Sequence, residues 1–193
     1  LGTAFLKHRD SEELREAFRT GRLNASEYYR QLLRLVYRLL FLFVAEERQL
    51  IFPEKAEHPE RQDLYTAYYS AARLRLRCER YFADDRHADL WQGLRETFYL
   101  FQDGDVAAQL GLAPLNGELF GPDACRHLEQ AACRNDALLR AIRCLSNFND
   151  NGVSRRVNYR DLDVEELGSV YESLLDFQPY VSQDTPPRFD LIT

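Results

Sequence analysis

The stretch that decides the fold is Leu32–Ala45, which reads LLRLVYRLLFLFVA. The polar residues in and before it recur at helical spacing and form one narrow stripe: Glu27, Arg30, Gln31, Arg34 and Arg38. A helix that is apolar on most of its circumference lies at the centre of a bundle. A bilayer span requires about 20 apolar residues, so this stretch of 14 is predicted as a core helix that does not enter a membrane. Asn24 or Ser26 caps the helix, which extends to about Leu50.

Apolar residues at helical spacing predict further helices on both sides of this one. The first of them stops at Gly21, and the last begins at Asp161 or Asp163. Asp163 is followed three residues later by Glu166, which is the pattern of a capping box. The predicted helices span approximately these residues: 10–21, 63–82, 87–101, 123–133, 135–145 and 161–175.

Two irregular segments separate these helices. Residues 103–122 are rich in turn-forming residues and are predicted as a long connector, in which Asn116-Gly117 makes a tight turn or a small hairpin. Residues 147–160 are predicted as a polar loop with at most one short strand near its end. The fold class is therefore all-α, a multi-helix bundle of about six to seven helices with at most one small β-hairpin. The predicted domains are a helical bundle (1–146), a loop plus helix (147–180) and a linker (181–193).

The composition excludes several classes of protein. Of the 193 residues, 29% are charged and 45% are hydrophobic, and the net charge is −6. These values exclude a disordered tail and a generically basic protein that coats nucleic acid. The four cysteines form no C-x-x-C pair, and residues 1–30 lack the apolar region of a signal peptide, which together favour reduced thiols in a cytoplasmic protein. The first residue, Leu1, and the absence of methionine indicate a segment of a longer gene product.

Two motifs resemble metal sites but lack the required ligands. Asn147–Gly152 has the spacing of the start of a calcium loop, but position 12, where a bidentate glutamate is required, is Asn158. A polar turn is therefore predicted there. His127-Leu128-Glu129 matches the H-x-E of zinc deaminases, but the P-C-x-x-C that supplies two thiolate ligands is absent. No metal-binding residue is predicted.

No motif for catalysis or for cofactor binding is found in the chain. A restriction-type nuclease core combines metal-binding acids with a lysine that orients water, and no lysine follows Lys55. Glycine-rich phosphate loops and the nucleophile motif G-x-S-x-G are absent. The [D/N]-P-P-[Y/F] motif of amino-methyltransferases is absent as well, since Pro186-Pro187 stands between Thr185 and Arg188. We therefore predict no catalytic and no cofactor-binding residue.

Arginine is the main polar signal in the chain. Only Lys7 and Lys55 are lysines among the 25 basic residues, so the others are arginine. On the core helix, Arg30, Arg34 and Arg38 repel one another by a few tenths of a kcal/mol per pair. They require anions opposite them, which are either carboxylates of a neighbouring helix or phosphates.

A second cluster, Arg155, Arg156 and Arg160, lies in the late polar loop. No acidic residue follows it before Asp161, so this cluster is the candidate for contact with the backbone of double-stranded DNA. Contacts of this kind make affinity fall steeply with salt.

Three blocks of the chain resemble one known family. Leu35–Arg48, LVYRLLFLFVAEER, resembles a segment of the Eco57I-like restriction-modification methylases and the related phage-exclusion methyltransferases. Pro114–Phe120, PLNGELF, is similar to the LNGxLF loop of that family, and Val157–Leu175, VNYRDLDVEELGSVYESLL, is similar to its last helical block. The three blocks occur in the same order as in the family.

The resemblance implies a non-catalytic helical region that precedes a methyltransferase domain. A parent of this kind methylates the exocyclic amine of adenine in DNA, uses S-adenosyl-L-methionine and in some cases carries a restriction endonuclease domain. The cofactor segment and the N-P-P-Y motif of the family lie downstream of the three blocks, so the resemblance assigns no catalytic residue to this chain. It implies the methyltransferase domain of the same parent chain, and double-stranded DNA, as partners.

The last predicted helix carries a candidate surface for docking that domain. Gly168, Tyr171 and Leu175 fall on one helical face, and Glu172 adjoins them. A glycine permits the close approach of another backbone, and the approaching element is either the methyltransferase domain or another helix of this same chain. An alternative for the whole chain is a free-standing helical module that binds a protein partner.

Overall fold

The structure, a computed structural model, describes residues 1–52, 59–80, 85–112, 117–182 and 184–192. Within these residues the chain forms ten α-helices: α1 (Gly2–Lys7), α2 (Glu12–Arg19), α3 (Ala25–Glu47), α4 (Pro59–Tyr68), α5 (Ala71–Arg80), α6 (Asp89–Leu100), α7 (Gly104–Gln109), α8 (Arg126–Glu129), α9 (Asn135–Ser146) and α10 (Val164–Leu175). One 3₁₀ turn, η1 (Glu118–Phe120), and four strands complete the fold: β1 (Asn147–Asp150), β2 (Val153–Arg156), β3 (Gln178–Val181) and β4 (Phe189–Ile192). The all-α class is confirmed, and two small antiparallel hairpins occur among these residues where at most one was predicted.

Helix α3 is the central helix, as predicted. The Asn24 side chain caps it by accepting a hydrogen bond from the Glu27 backbone N–H at 2.8 Å. Its buried side chains join those of α1, α5, α6 and α9 in one core, where the rings of Phe5 and Trp91 pack edge to face at 4.9 Å. In the described part of the chain, no helix combines the length and the apolarity that crossing a bilayer demands.

The single helix predicted at 63–82 is two helices, α4 and α5, which are separated at Tyr69-Ser70. The Ser70 hydroxyl donates to the Thr66 carbonyl at 2.7 Å and accepts from the Arg73 N–H at 3.4 Å, so it ends one helix and begins the next. Apolar spacing continues across this break, and for that reason periodicity did not locate it.

The predicted connector and the helix after it also differ from the structure. Residues 104–109 form α7, because Asp103 caps it by accepting from the Asp105 and Val106 N–H groups at 2.9 and 3.3 Å. The turn or hairpin predicted at Asn116-Gly117 involves a residue outside the described part, and the residues that follow form η1. The helix predicted at 123–133 is reduced to the single turn α8.

The first hairpin, β1–β2, replaces the loop predicted at 147–160. Its two turn residues, Asn151 and Gly152, have φ of 51° and 84°, the left-handed values of a type I′ turn. The Asn149 side chain accepts from the Gly152 N–H at 2.8 Å. The calcium-like motif is therefore the tip of a hairpin, in agreement with the predicted polar turn.

The second hairpin, β3–β4, corrects the prediction of a linker at 181–193. Strand β4 pairs with β3 and lies against the first residues of the chain, where the Thr3 hydroxyl donates to the Phe189 carbonyl at 2.9 Å. The Phe189 ring packs on Tyr28 at 5.5 Å. Gly2 makes this approach feasible, because a Cβ there would lie 2.7 Å from the Phe189 ring. The contact joins residues 186 positions apart, which local sequence patterns do not encode.

Candidate functional site

Three segments of the chain, Leu35–Arg48, Pro114–Phe120 and Val157–Leu175, are called the family-like blocks. Helix α3 contacts the second of them through a buried arginine. Arg38 is fully buried and forms an ion pair with Glu129 at 2.8 Å. Its guanidinium also donates to the backbone carbonyls of Leu119 and Gly121 at 2.7 and 3.1 Å, and lies over the Phe120 ring at 5.7 Å. Carboxylate and carbonyl groups thus surround Arg38. The anion predicted opposite this arginine is therefore a carboxylate of the same chain and not a phosphate.

The C-terminal end of α3 carries three charged residues, Glu46, Glu47 and Arg48, that together with Arg75 form what we call the α3 clamp. Glu46 binds the start of α5: its carboxylate accepts from the Tyr65 hydroxyl and from the Ala71 and Ala72 N–H groups, each at 2.7 Å. An anion at a helix N-terminus satisfies donors that the helix leaves unpaired. Burial raises the pKa of Glu46 above its ordinary value, against the opposing effect of these three hydrogen bonds.

Arg75 connects the clamp to the last family-like block. The side chain is fully buried, forms an ion pair with Glu47, and donates to the Val157 carbonyl at 2.7 Å. Its guanidinium lies over the ring of Tyr159 at 4.6 Å and donates to the Ser146 hydroxyl at 3.3 Å. One arginine of α5 therefore holds the end of α9 and the following loop against α3.

Arg48 and Glu47 fix the same loop from the other side. Arg48 donates to the carbonyls of Arg160 and Leu162 at 2.9 and 2.6 Å, and the Glu47 carboxylate accepts from the Arg160 N–H at 3.1 Å. The Tyr159 ring is buried and packs on Phe43 of α3 at 5.2 Å. The start of the last block is thus held by ionic, backbone and aromatic contacts.

Among the described residues, several groups of the kinds that carry chemistry are hydrogen-bonded, ion-paired or protonated. Across the described ranges, no group of three or more His, Cys, Asp or Glu side chains is arranged to hold a metal ion. Burial raises the pKa of Cys125 to about 11 and that of Cys133 to about 12, so both remain thiols at neutral pH. In the deaminase-like motif, Glu129 pairs with Arg38, and His127 Nδ1 lies 3.0 Å from the Gln31 amide nitrogen.

The three arginines proposed to contact DNA are all exposed and lie close together in the chain. Arg155 and Arg156 are adjacent on β2, so their side chains lie on opposite faces of the hairpin. Arg155 Nε is 2.7 Å from the Asp150 carboxylate, and Arg156 Nε is 3.7 Å from that of Glu79. In the folded chain both arginines therefore have carboxylate partners, which the sequence around them did not indicate. Arg160 lies just beyond the hairpin, with its backbone in the α3 clamp contacts.

The residues of the candidate docking surface lie on α10 with an open face. Gly168 is exposed, and a Cβ built there meets no atom of the described residues within 4 Å. Glu172 is exposed and Leu175 is 51% exposed, whereas the side chain of Tyr171 lies outside the described part. Within that part, Gly168 does not serve to pack α10 against another helix of the chain.

Comparison of the chain with protein-family models, with curated proteins and with solved structures gives no match.

Proposed function

We propose that this chain is a non-catalytic helical scaffold of an S-adenosyl-L-methionine-dependent DNA adenine methyltransferase that serves restriction-modification or phage defence in the cytoplasm. The observation that carries the proposal is that the three family-like blocks meet around α3. Arg38 of the first block binds Leu119 of the second, and Arg48 of the first binds Arg160 and Leu162 of the third. Segments far apart in sequence thus form one connected structure.

Residues of the family-like blocks make these contacts. Glu46, Glu47, Arg48 and Tyr159 belong to the family-like blocks, and each holds two elements of the bundle together. Polar groups that are partly or fully buried and hydrogen-bonded in this way favour one arrangement of helices, because other arrangements leave them with fewer partners. In the proposed parent, the cofactor and the catalytic groups belong to the methyltransferase domain, and this chain orients that domain.

Helix α10 is the proposed contact with the methyltransferase domain. Its attachment to α3 includes a hydrogen bond that the Tyr29 hydroxyl donates to the Leu174 carbonyl. Gly168, Glu172 and Leu175 are exposed beside that attachment. The open position at Gly168 favours docking of a further domain over packing within the chain.

Replacing Gly168 with leucine is expected to raise the stability of the chain by about 0.5–1 kcal/mol, because leucine favours a helix more than glycine does. In the full-length parent, the same change is expected to reduce DNA methylation at least several-fold by blocking the docked domain. Urea unfolding and a methyl-transfer assay measure the two effects.

The control for this change is Gly93→Leu in α6, a helical position away from α10 where a Cβ would lie 3.5 Å from the Arg73 guanidinium, an ordinary van der Waals contact. That variant has the same gain in helix propensity and should leave methylation unchanged. Unchanged methylation by Gly168→Leu in the parent would remove the docking surface from the proposal, and a loss of stability in the chain would indicate internal packing instead.

The β1–β2 hairpin is the proposed contact with the DNA backbone. Its arginines are exposed, and contacts of arginine with phosphate position a protein without reading sequence. Each contact contributes about 0.9 to the slope of log K against log salt. Changing Arg155 and Arg156 to glutamine should therefore weaken binding to duplex DNA at low salt and reduce that slope by about 2.

A double change of Arg19 and Arg188 to glutamine is the matched control, since both are exposed and both pair with a nearby carboxylate as Arg155 does. Fluorescence anisotropy with a labelled duplex gives the affinities. Equal weakening by the two double variants would show that net charge, and not the hairpin, determines binding. Lack of binding at about 50 mM salt would leave the scaffold role alone.

The alternative is a free-standing module for binding another protein. The observation that favours it is the exposure of apolar side chains on α10 and β4, including Leu175, Leu191 and Ile192. In the proposed parent these side chains face the next domain. Sedimentation of the isolated chain separates the two functions, because a discrete dimer at micromolar concentration favours the interaction module.

A further inference from the structure

The negative charge of the chain is concentrated in its last part. Residues 1–160 contain 24 of the 25 basic residues and 23 of the 31 acidic residues. Residues 161–193 contain the other eight acidic residues and one arginine, Arg188. This segment therefore carries a net charge of −7, which is more negative than the −6 of the whole chain. It includes α10 and the β3–β4 hairpin.

One side of α10 is an exposed row of carboxylates and small residues, which we call the acidic stripe. Its members recur at helical spacing and therefore lie on one face of the helix: Glu165, Gly168, Ser169, Glu172 and Asp176. All five are exposed, and Leu175 beside them is 51% exposed. The two central residues are small, so no bulky side chain blocks the middle of the stripe. Within the described part of the chain, this helix face is uncovered.

Two carboxylates of the acidic stripe lie at the end of α10 that disfavours them. Glu172 is in the last turn and Asp176 is the C-cap, and the last turn contains no basic residue. The negative end of the helix dipole repels carboxylates at this end, and like charges four positions apart on a helix repel each other. The isolated chain therefore bears an electrostatic cost at this end of α10, which cations on a facing surface would relieve.

Cations of the same chain do not relieve this cost. Among the described residues, the nearest arginine after α10, Arg188, lies 3.9 Å from Asp190 on β4. Arg48, which approaches the residues before α10, donates to the backbone carbonyls of Arg160 and Leu162. No described cation forms an ion pair with a carboxylate of the acidic stripe.

The other acidic residues at the start of α10 have a local explanation. Asp163 and Glu166 form the capping box, in which each side chain accepts from a backbone N–H of the other residue. Such a box explains carboxylates at the first turn of a helix. It does not explain Glu172 and Asp176, two or three turns further along, so the acidic stripe requires a partner outside the described chain.

We propose that the acidic stripe docks onto a basic surface, rich in lysine or arginine, of the methyltransferase domain. This inference rests on the proposed function for the identity of that domain, and it adds the chemistry of the surface that α10 contacts. Gly168 and Ser169 permit close approach of the partner, while Glu172 and Asp176 pair with its cations. Electrostatic complementarity of this kind fixes the register of an interface more than it raises affinity, which suits a scaffold that orients another domain.

The test is a double charge reversal, Glu172→Lys and Asp176→Lys, in the isolated chain and in the full-length parent. The matched control is Glu96→Lys and Asp123→Lys, which changes the net charge equally at exposed positions away from α10. Hydrogen exchange of the α10 amides, followed by mass spectrometry, is the measurement. In the isolated chain, the reversal should slow exchange in the last turn of α10 by about twofold or more, because it removes the repulsion by the helix dipole.

In the parent the same reversal should have the opposite effect. The docked α10 of the wild type should exchange at least about tenfold more slowly than α10 of the isolated chain. The reversal should remove this protection, and the control should retain it. Raising the salt from about 0.1 M to about 1 M shortens the screening length from about 10 Å to about 3 Å, so it should weaken the protection of the wild type as well.

Each outcome bears on a defined part of the account. Protection in the parent that survives both the reversal and high salt overturns the basic partner and leaves the docking of α10 by apolar contacts in place. Equal effects of the reversal and its control also overturn the inference. Protection that appears in the isolated chain as its concentration rises assigns the stripe to a second copy and overturns it too. Loss of protection by the reversal alone, in a parent that methylates no adenine, supports the basic docking surface and overturns the proposed function.

Discussion

Replacing Arg75 with alanine is expected to lower the free energy of unfolding by about 3–5 kcal/mol. Removal of a fully buried guanidinium leaves the Glu47 carboxylate without its ion pair and the Val157 carbonyl without a donor, and it opens a cavity beside Tyr159. The measurement is the midpoint of urea unfolding followed by circular dichroism.

Two further variants determine what causes this loss. Arg75→Lys retains a positive charge but lacks the planar guanidinium group with its several N–H donors, so it should retain only part of the stability that Arg75→Ala loses. Arg77→Ala is the matched control, since it lies on the same helix at an exposed position, and surface changes of this kind cost about 0.5 kcal/mol or less. If Arg75→Ala were as mild as Arg77→Ala, the α3 clamp would not hold the bundle together.

Replacing Glu46 with alanine is expected to cost about 3 kcal/mol or more, because two backbone N–H groups of α5 and the Tyr65 hydroxyl lose their acceptor. Glu46→Gln should cost less, since one amide oxygen still accepts the bonds from Tyr65 and Ala71. In that variant the amide nitrogen faces the Ala72 N–H, and the two donors repel. Hydrogen exchange should show opening of the first turn of α5 in both variants.

The carboxyl group of Glu46 also makes the stability of the chain depend on pH in a defined direction. Burial raises the pKa of Glu46 above its ordinary value of 4.5, so the folded chain binds more protons than the unfolded chain between these two values. The contribution of Glu46 is therefore largest below pH 4.5 and falls as the pH rises through the raised pKa. The stability difference between the wild type and Glu46→Gln should decrease in that direction, and an increase would contradict the shift.

Local patterns in the sequence predicted the elements whose causes are local. A narrow polar stripe on an otherwise apolar stretch located α3. The Asp163–Glu166 capping box located the start of α10, where both hydrogen bonds of the box are present. The break between α4 and α5 was missed, because apolar spacing continues across it and the Glu46 carboxylate that caps α5 comes from another helix. Strand β4 was missed because its partners are β3 and the first residues of the chain.

The same distinction applies to the candidate sites. The requirement of Arg38 for an anion followed from helical spacing, but its partner Glu129 lies 91 residues further along the chain. Helix α5 contains four arginines, at positions 73, 75, 77 and 80, and nothing in their spacing distinguishes the buried Arg75 from the exposed Arg77.

The most direct test of the central claim is the adenine methylation of genomic DNA in the source organism. Long-read sequencing detects N6-methyladenine at each position, before and after an in-frame deletion of the codons for residues 1–193. A scaffold that orients the catalytic domain predicts that the deletion abolishes methylation in one sequence context across the genome. An unchanged methylation pattern would contradict the assignment of this chain to a DNA adenine methyltransferase.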